Sequence, residues 1–348
     1  MRWQLSEEQQ AYQEAFGGWL ASVAGPQAVR SWLEAGDGDT FAARFVEAGW
    51  GGVGVPEDQQ GQGGGFLELV LTAEALGGTA APSAAWLAGV LAAPAVGHSD
   101  AAVAVLVPAD AMPLVATGLH SDISGRISGT VEGVLAGAQA SRFVVVVDAS
   151  ERRQLRLVDA GAPGVEVRPA ALLDRSRAVA SVTLAGVESS VLEVPVEEFV
   201  TGFAARAAVL TAADSLGAMQ RMLDLAVEYS KQREQFGVPI GSFQAVKHAA
   251  ASILVDVEAA RSALYYTAAS VDTKQPGHEL HAAAVKAQVT AAGAHAADSA
   301  LTLFGAIGYT WEHDLHYFYK RVKLNLALYG TPSQWNELIA DSLDLLPA

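Results

Sequence analysis

The sequence contains no cysteine, which excludes a disulfide framework, a thiolate metal site and a cysteine nucleophile. It is also poor in positive charge, because 22 Lys and Arg residues stand against 38 Asp and Glu residues and give a formal net charge of −16. Nucleic-acid binding needs a basic face, so this balance argues against nucleic acid as a partner. A small phosphate-bearing ligand is still compatible with it, because one or two local arginines can bind such a ligand.

Long uninterrupted apolar runs are also scarce. The apolar stretches are rich in alanine and glycine and are broken by charges, so no segment is expected to span a bilayer. Residues 1–8 lack the basic segment followed by an apolar run that marks a secretory signal. We therefore expect a cytoplasmic chain that does not contact a membrane. Its 51% hydrophobic and 17% charged residues allow a large core, and its length predicts about two or three domain units.

Three zones of different sequence pattern predict an N-terminal helical domain at residues 1–98, a middle β domain at 99–197 and a C-terminal helical bundle at 198–348. In the first zone, Ser6 and Gln9 form a capping-box pattern that predicts a helix start. The tryptophans of this zone are expected to pack its interior: Trp3, Trp19, Trp32, Trp50 and Trp86.

Short β-type runs, separated by glycine, aspartate and proline, fill the middle zone. Their spacing predicts a compact antiparallel barrel or sandwich. The runs are residues 103–107, 143–147, 154–158, 165–168, 178–184 and 191–194.

Beyond residue 200, apolar residues recur at steps of three and four, which predicts long helices with one buried face. The last helix is predicted to begin after Thr331, with Gln334 completing a capping box and proline at the first helical position. The expected buried positions are Val209, Ala213, Leu216, Leu223 and Val227; Val246, Ala250, Ile253, Val257, Ala260, Leu264, Ala268 and Val271; and Trp335, Ile339, Leu343 and Leu346.

Residues 229–244, with the sequence YSKQREQFGVPIGSFQ, form the most specific segment. The segment predicts a helix that ends at Gly237, a tight connection and a new helix that begins near Ser242. Arg233 at such a junction is expected to lie near free backbone N–H groups, which suits an anionic phosphate. Alternatively, Arg233 pairs with Glu234 or with a carboxylate of a helix.

This segment resembles the acyl-CoA dehydrogenase signature R-x-Q-F-G-x-P-I-x-x-F-Q. Residues 303–316, LFGAIGYTWEHDLH, resemble the family's G-G-x-G-Y-T-W-E-H-D-L run. Weaker matches at residues 5–9 and 49–56 extend the resemblance over nearly the whole chain. It implies a mostly α fold with a β domain: an N-terminal helical domain, a middle β-barrel or sandwich, and a C-terminal four-helix bundle.

Members of this family oxidise acyl-CoA thioesters to the 2,3-enoyl form. A glutamate takes the α-proton, and the β-hydride goes to an FAD that lies at a subunit interface. The resemblance implies that Arg233 and Phe236 reach the ADP half of an FAD bound mainly by a neighbouring subunit. Further contacts to this cofactor are expected from Gln235, Ile240, Phe243, Thr302 and Gly305.

The sequence departs from the family at the catalytic base. Tyr329 stands before Gly330 and Thr331, where many members have the glutamate, and the family's other glutamate position falls in residues 206–208, which offer no carboxylate. A phenol with a reference pKa near 10 is a poor acceptor for an α-proton at neutral pH. No catalytic residue is therefore predicted in this chain.

Contacts to the flavin ring are also altered. The family's T-E-P-x-x-G-S-D strand corresponds to residues 106–110, which lack the Gly-Ser pair. The family's aromatic-Ile-Thr stretch falls near residues 133–135, whose apolar side chains cannot supply its hydrogen bonds. Thr302 replaces the usual glutamine, and Ala306 adds a methyl group where a glycine normally lets the backbone approach the cofactor.

Three hypotheses follow from these matches and departures. The first is a subunit of a heteromeric acyl-CoA dehydrogenase, similar to the actinobacterial α2β2 enzymes for steroid side-chain CoA esters, that completes the FAD site of a glutamate-bearing partner. The second is a homo-oligomeric member with an altered base such as Tyr329. The third is a flavin-free scaffold protein. No metal site is predicted, because His313, Asp314 and His316 are better explained as structural hydrogen-bonding groups at a corner of the bundle.

Overall fold

The computed structural model describes residues 5–114, 118–122, 124–149 and 152–343. Two residues predicted to be buried, Trp3 and Leu346, lie outside these ranges. Within them, N-terminal helices precede a curled mixed sheet and C-terminal helices follow it, which confirms the predicted fold class. The domain boundaries after residues 98 and 197 stay predictions.

The N-terminal helices are α1 Glu7–Val23, α2 Pro26–Ala35, α3 Asp39–Glu47, α4 Phe66–Thr79 and α5 Ala84–Val96. The predicted capping box starts α1, because Gln9 N donates to Ser6 Oγ at 3.2 Å and Ser6 N donates to Gln9 Oε1 at 3.0 Å. Aromatic rings hold these helices together at centroid distances of about 5–6 Å, a spacing at which edge and offset contacts are favourable. The rings belong to Phe16, Trp19, Trp32, Phe41, Phe45, Trp50 and Trp86.

Eight strands form one sheet in the middle of the chain. They are β1 Val103–Val105, β2 His120–Ser121, β3 Ile127–Leu135, β4 Arg142–Ala149, β5 Arg152–Asp159, β6 Val165–Ala170, β7 Val179–Val187 and β8 Ser190–Val191. The order is β6-β7-β3-β2-β4-β5-β8, with β1 also beside β4. Because β1 and β2 run parallel to β4, the sheet is a curled mixed half-barrel and not the purely antiparallel arrangement that the spacing predicted.

The C-terminal helices are α6 Val196–Gln232, α7 Gln244–Asp272, α8 His278–Phe304, α9 Leu315–Ala327 and α10 Pro332–Ser342. The predicted apolar faces of α6 and α7 are buried at nine positions: Val209, Ala213, Leu216, Leu223, Ile253, Val257, Ala260, Leu264 and Ala268. Four others are half-buried: Val227, Val246, Ala250 and Val271.

The stripe predicted for the last helix is confirmed at Trp335, holds in part at Ile339, which packs against the same buried cluster, and is wrong at Leu343. The capping box is present, with Thr331 N donating to Gln334 Oε1 at 2.8 Å, and Trp335 is buried. Ile339 is only half-buried. Leu343 is 48% exposed because α10 ends at Ser342 and only its beginning packs tightly against the bundle.

Helix α6 crosses α4 at backbone contact. A methyl group on Gly217 would overlap the carbonyl oxygen of Glu74, and one on Gly77 would overlap that of Asp214. Helix α6 is also the one helix of the described residues that is long and apolar enough to cross a membrane, so the expectation that no segment reaches that length was wrong. Since 83% of its apolar window is buried inside the protein, its hydrophobicity is used in packing.

Candidate active site

The segment predicted to bind cofactor forms a hairpin between α6 and α7. Strand β9 Glu234–Gln235 pairs with β10 Val238–Pro239, and the turn residues Phe236 and Gly237 have φ values of 56° and 78°. Positive φ at both central residues is typical of the two-residue turns that match strand twist. The predicted helix end at Gly237 is therefore wrong: α6 stops at Gln232, and the glycine serves the turn.

Short backbone hydrogen bonds hold the hairpin to both helices. Ile240 N donates to Arg233 O at 2.8 Å, and Arg233 N donates to Tyr229 O at 2.8 Å. Gly241 lies against Ser230, where an added Cβ would come within 3.0 Å of the Ser230 carbonyl oxygen. Helix α7 then begins at Gln244, after a short 3-10 turn, near the predicted start at Ser242. The hairpin is thus a fixed extension of the bundle.

The hairpin presents Phe236 to solvent. Its side chain is 93% exposed and meets the ring of Phe243 edge-on, with the centroids 6.2 Å apart. A bulky residue at positive φ is disfavoured by its Cβ, and this one gains little burial within the chain in return. Such a strained position on a rigid support is typical of a site that contacts another molecule.

A cleft of about 470 Å³ lies between the hairpin, the start of α7 and the end of α8. Five of the seven residues predicted to contact cofactor line it: Gln235, Phe236, Ile240, Phe243 and Thr302. The other two, Arg233 and Gly305, do not line it. Gly305 ends α8 with an exposed backbone at φ 62°, and Thr302 Oγ1 donates to Asp298 O at 2.8 Å.

Arg233 is solvent-exposed, and within the described ranges no hydrogen bond or ion pair holds its guanidinium. The expected alternative, an ion pair with Glu234, is therefore not formed in this structure. An unpaired arginine at the base of a rigid hairpin leaves its five donors available to an anion from outside the chain.

Tyr329 lies at the position where the base would be expected, and it is buried with 3% exposure. Its ring packs edge-on against Phe203, its N–H donates to Ala109 O at 2.6 Å, and its carbonyl accepts from Trp335 Nε1 at 3.0 Å. Burial raises the pKa of the Tyr329 phenol, and nearby Arg177 opposes this only in part. A phenol in this environment stays protonated, so it does not act as a base at neutral pH.

Residues 106–110, the counterpart of the family's flavin-ring strand, form backbone hydrogen bonds within this chain. Ala109 N donates to Gly133 O at 3.1 Å, Ala109 O accepts from Tyr329, and Leu106 N donates to Val144 O at 2.8 Å. The side chain of Met112 packs on Gly330, where an added Cβ would come within 2.7 Å of Met112 Cγ. These backbone groups form hydrogen bonds within the chain, so they are not free donors and acceptors for a flavin ring.

A buried charge cluster joins three parts of the chain near this position. Both oxygens of Asp214 on α6 accept from Arg321 on α9, at 2.9 and 2.7 Å, and Asp214 Oδ2 also accepts from Arg177 at 2.9 Å. Asn325 Nδ2 donates to Asp214 Oδ1 at 2.7 Å, and Ser83 Oγ accepts from both arginines. Burial alone would raise the pKa of Asp214, but the two guanidinium groups lower it to about 2.

Lys286 on α8 is fully buried beside this cluster. Its Nζ donates to the carbonyl oxygen of Asn325 at 2.6 Å, which caps a free carbonyl near the end of α9. Burial lowers the pKa of Lys286 to about 7. Sequence reasoning missed both Lys286 and the cluster. The available signal was the isolated charges of Asp214 and Lys286 within runs of alanine and other small residues.

The low pKa of Lys286 predicts how stability changes with pH. Below pH 7 the lysine is charged in both folded and unfolded chains, and the buried charge costs several kcal/mol. This cost decreases as pH rises from 7 to about 10.5, the pKa of the lysine in the unfolded chain. The free energy of unfolding of Lys286→Met, measured in urea against wild type, should therefore fall relative to wild type as pH rises from 6 to 10. Lys247→Met, on the exposed surface of α7, is the control, and an equally pH-independent difference for both variants would contradict the assignment.

His313, Asp314 and His316 act as structural groups at the corner between α8 and α9. Asp314 Oδ1 accepts from Arg30 Nη2 at 2.6 Å, which ties the bundle to α2. His313 Nδ1 accepts from Leu315 N at 3.1 Å, and His316 is buried against Trp311. In the part of the chain that the structure describes, no group of three or more His, Asp or Glu side chains is placed to hold a metal ion.

Two family models match the chain: the acyl-CoA dehydrogenase N-terminal domain at residues 6–102 and the acyl-CoA dehydrogenase C-terminal domain at residues 198–343. The chain belongs to the acyl-CoA dehydrogenase family, which confirms the resemblance read from its two signatures. This family implies oxidoreductase chemistry with FAD.

Among curated proteins, acyl-CoA dehydrogenase IpdE2 of Mycobacterium tuberculosis (strain ATCC 25618 / H37Rv) is 31% identical over 333 residues, covering 94% of this chain and 95% of that protein. Acyl-CoA dehydrogenase FadE34 of the same strain is 34% identical over 361 residues, covering 95% of this chain. The match spans only 47% of the length of FadE34.

Solved structures similar to this chain include the ChsE4-ChsE5 complex from Mycobacterium tuberculosis. The similarity has a TM-score of 0.88 and 25% identity, and it covers 100% of this chain and 100% of the matched chain. The Tcur3481-Tcur3483 steroid acyl-CoA dehydrogenase G363A variant has a TM-score of 0.86 and 24% identity, covering 96% of this chain and 97% of that chain. The chain thus shares its fold with a chain of the ChsE4-ChsE5 complex and with a chain of a steroid acyl-CoA dehydrogenase.

Proposed function

We propose that this chain is a non-catalytic subunit of a heteromeric, FAD-dependent acyl-CoA dehydrogenase and that it completes the FAD site of a partner chain. The partner would carry the catalytic glutamate. The reaction would be the 2,3-dehydrogenation of an acyl-CoA thioester, with steroid side-chain CoA esters as the substrate class. The proposal rests on one contrast. The hairpin is exposed and available to another molecule, whereas the position of the family's catalytic glutamate is occupied by the buried side chain of Tyr329.

The hairpin fits the ADP half of FAD by its chemistry. Arg233 would supply positive charge to the diphosphate, because its donors are free and no described carboxylate pairs with it. Phe236 and Phe243 would cover the adenine face, and Gln235 and Thr302 offer polar groups at the cleft wall. When bound, FAD supplies the hydride acceptor of the family reaction. The role of this chain is to bind and orient the remote half of that cofactor.

The comparisons support a paired arrangement. The ChsE4-ChsE5 complex and the Tcur3481-Tcur3483 enzyme are each named for two chains. In FadE34 the match to this chain leaves more than half of the length uncovered, which is room for a second unit of similar size. Both facts are consistent with an enzyme of two related units. One unit would carry the catalytic residues, and the other would complete the cofactor site.

The test is to compare flavin content with and without a glutamate-bearing family chain. We expect the purified chain alone to carry little flavin, and co-expression to yield a stable complex with about one FAD per pair of chains, measured by visible absorbance and size-exclusion chromatography. About one FAD per chain in the protein alone would favour the homo-oligomer with an altered base. A complex without flavin, or no association, would favour the scaffold.

Restoring a carboxylate to the position of the base should not restore activity to the chain by itself. Tyr329→Glu is expected to lower the free energy of unfolding by about 3 kcal/mol or more, because the carboxylate would be buried among groups that are already paired. Acyl-CoA-dependent dye reduction should stay at background. Tyr329→Phe keeps the ring contact with Phe203 and is the matched control, with a small expected change. An active Tyr329→Glu chain of unchanged stability would show that the site is open.

A further inference from the structure

A second cleft, of about 460 Å³, lies between α3, α5 and β1 and shares no lining residue with the hairpin cleft. Clefts that hold drug-sized ligands span roughly 300–1,000 Å³ and are mostly apolar with a few polar groups. This cleft has that character, since its apolar wall is formed by Phe41, Phe45, Trp86, Val90, Ala93 and Val103.

Gly89 marks the open side of this cleft. It lies inside α5, where glycine costs about 0.5–1 kcal/mol relative to alanine, and an added Cβ would meet no atom within 4 Å. The glycine is therefore not required by close packing or by a positive φ, and its effect is to leave space. Because Gly89 lines the cleft and its Cβ position is free, a larger side chain here would project into unoccupied space.

The carboxylates give the lining of this cleft a negative charge. The lining includes three carboxylates, on Asp39, Glu47 and Asp100, and no lysine or arginine stands among the described lining residues. Gln139 Nε2 donates to Asp39 Oδ1 at 2.7 Å, so Gln139 Oε1 is left as a buried acceptor without a partner. His98 Nε2 lies 3.1 Å from Asp100 Oδ1 and is the one imidazole of the lining.

We propose that this cleft binds a neutral apolar molecule that carries a hydroxyl or similar donor group. The apolar wall and the volume accommodate a hydrocarbon or fused-ring body, and the donor would be accepted by one of the exposed carboxylates of the lining, on Asp39, Glu47 or Asp100. The three carboxylates disfavour anions, so a fatty acid or the phosphates of a CoA ester should bind more weakly than a neutral molecule of similar shape. The proposal is independent of the function proposed above, because no residue is shared between the two clefts.

The test compares two probes of equal chain length, decanol and decanoate, by calorimetric titration of the full chain. We expect decanol to bind at least about tenfold more tightly than decanoate. Gly89→Leu should abolish decanol binding, while Gly18→Leu on α1, where an added Cβ also meets nothing within 4 Å, should leave it unchanged. Asp39→Asn preserves the shape of the site and removes one negative charge. It should therefore reduce the difference in affinity between decanol and decanoate.

Four outcomes would overturn the proposal. Three of them are binding results: no binding of decanol to the wild-type chain, binding of decanoate as tight as that of decanol, and binding of decanol to Gly89→Leu as tight as to wild type. In the fourth case, Gly89→Leu keeps its thermal stability but loses association with the partner chain, which would make the cleft a protein-docking surface. If Gly89→Leu does not fold, Asp39→Asn still tests the proposal. An unchanged preference for decanol over decanoate in this variant would show that the negative charge of Asp39 does not determine the selectivity of the cleft.

Discussion

Arg233→Ala is expected to weaken binding of FAD to the assembled complex by about 10- to 100-fold and to leave the stability of the chain unchanged. The guanidinium has no hydrogen-bond or ion-pair partner among the described residues, so its removal should cost nothing within the fold. A hydrogen bond to a charged group contributes about 1.5–3 kcal/mol, and each 1.4 kcal/mol is a factor of ten in affinity. The measurement is a titration of flavin-depleted complex with FAD, alongside thermal unfolding of the chain.

Lys231→Ala is the matched control for this experiment. Lys231 is also exposed and cationic and lies two residues earlier, but it belongs to the last turn of α6 and not to the hairpin. We expect it to change FAD affinity by less than about threefold, the scale of an unpaired surface charge. Arg233→Lys should be intermediate, because it keeps the charge and loses the planar fork. Equal FAD affinity in Arg233→Ala and wild type would rule out the hairpin as a cofactor contact.

Asp214→Ala is expected to destabilise the chain by about 3–5 kcal/mol or more, which is a large part of the 5–15 kcal/mol typical of folded proteins. The substitution leaves Arg177 and Arg321 buried without their shared carboxylate, and it removes the acceptor of Asn325 Nδ2. Asp224→Ala on the same helix is the control, since Asp224 is exposed and accepts only from Gln220. Urea unfolding of both variants measures the difference, and a loss below about 1 kcal/mol for Asp214→Ala would contradict this account.

The same carboxylate predicts acid sensitivity. Because the folded pKa of Asp214 is lowered to about 2, its contribution to stability is complete above the unfolded value near 4 and is lost as pH falls from 4 toward 2. The wild-type free energy of unfolding should therefore decrease over this range by more than that of Asp214→Asn, which has no carboxylate to protonate at this position.

Local patterns allowed most elements to be predicted, and they failed where tertiary structure uses a residue for a second purpose. The capping boxes at Ser6 and Thr331 need only a few neighbouring residues, and both are present. Gly237 has the appearance of a helix end, but the pairing of β9 with β10 places it in a turn. Strand β3 was overlooked because Gly129 and Gly133 interrupt its alternation, and both lie where the register with β7 shifts.

The candidate site was predictable to the extent that it is local. Five of the predicted cofactor-binding residues line the hairpin cleft, and four of them lie within nine positions, between Gln235 and Phe243. One sequence signature could therefore identify these four together. Their roles toward FAD stay predictions. The charge cluster was not predictable in the same way, because Asp214 is separated by 37 residues from Arg177 and by 107 from Arg321. No sequence period connects such partners; only the packing of α6 against α9 and against the segment before β7 brings them together.

The charge cluster also bears on why the middle sheet is retained. Asp214 and Arg321 lie in the C-terminal family match at residues 198–343, whereas Arg177 comes from the chain just before β7. The buried carboxylate of the bundle is therefore partly neutralised by an arginine that lies next to the sheet. Ser83 Oγ and Ala81 O, in the loop between α4 and α5, accept hydrogen bonds from Arg321. Without the middle sheet and the segment that leads into it, Asp214 would keep Arg321 but lose Arg177. The bundle is therefore not expected to reach its normal stability as an isolated domain.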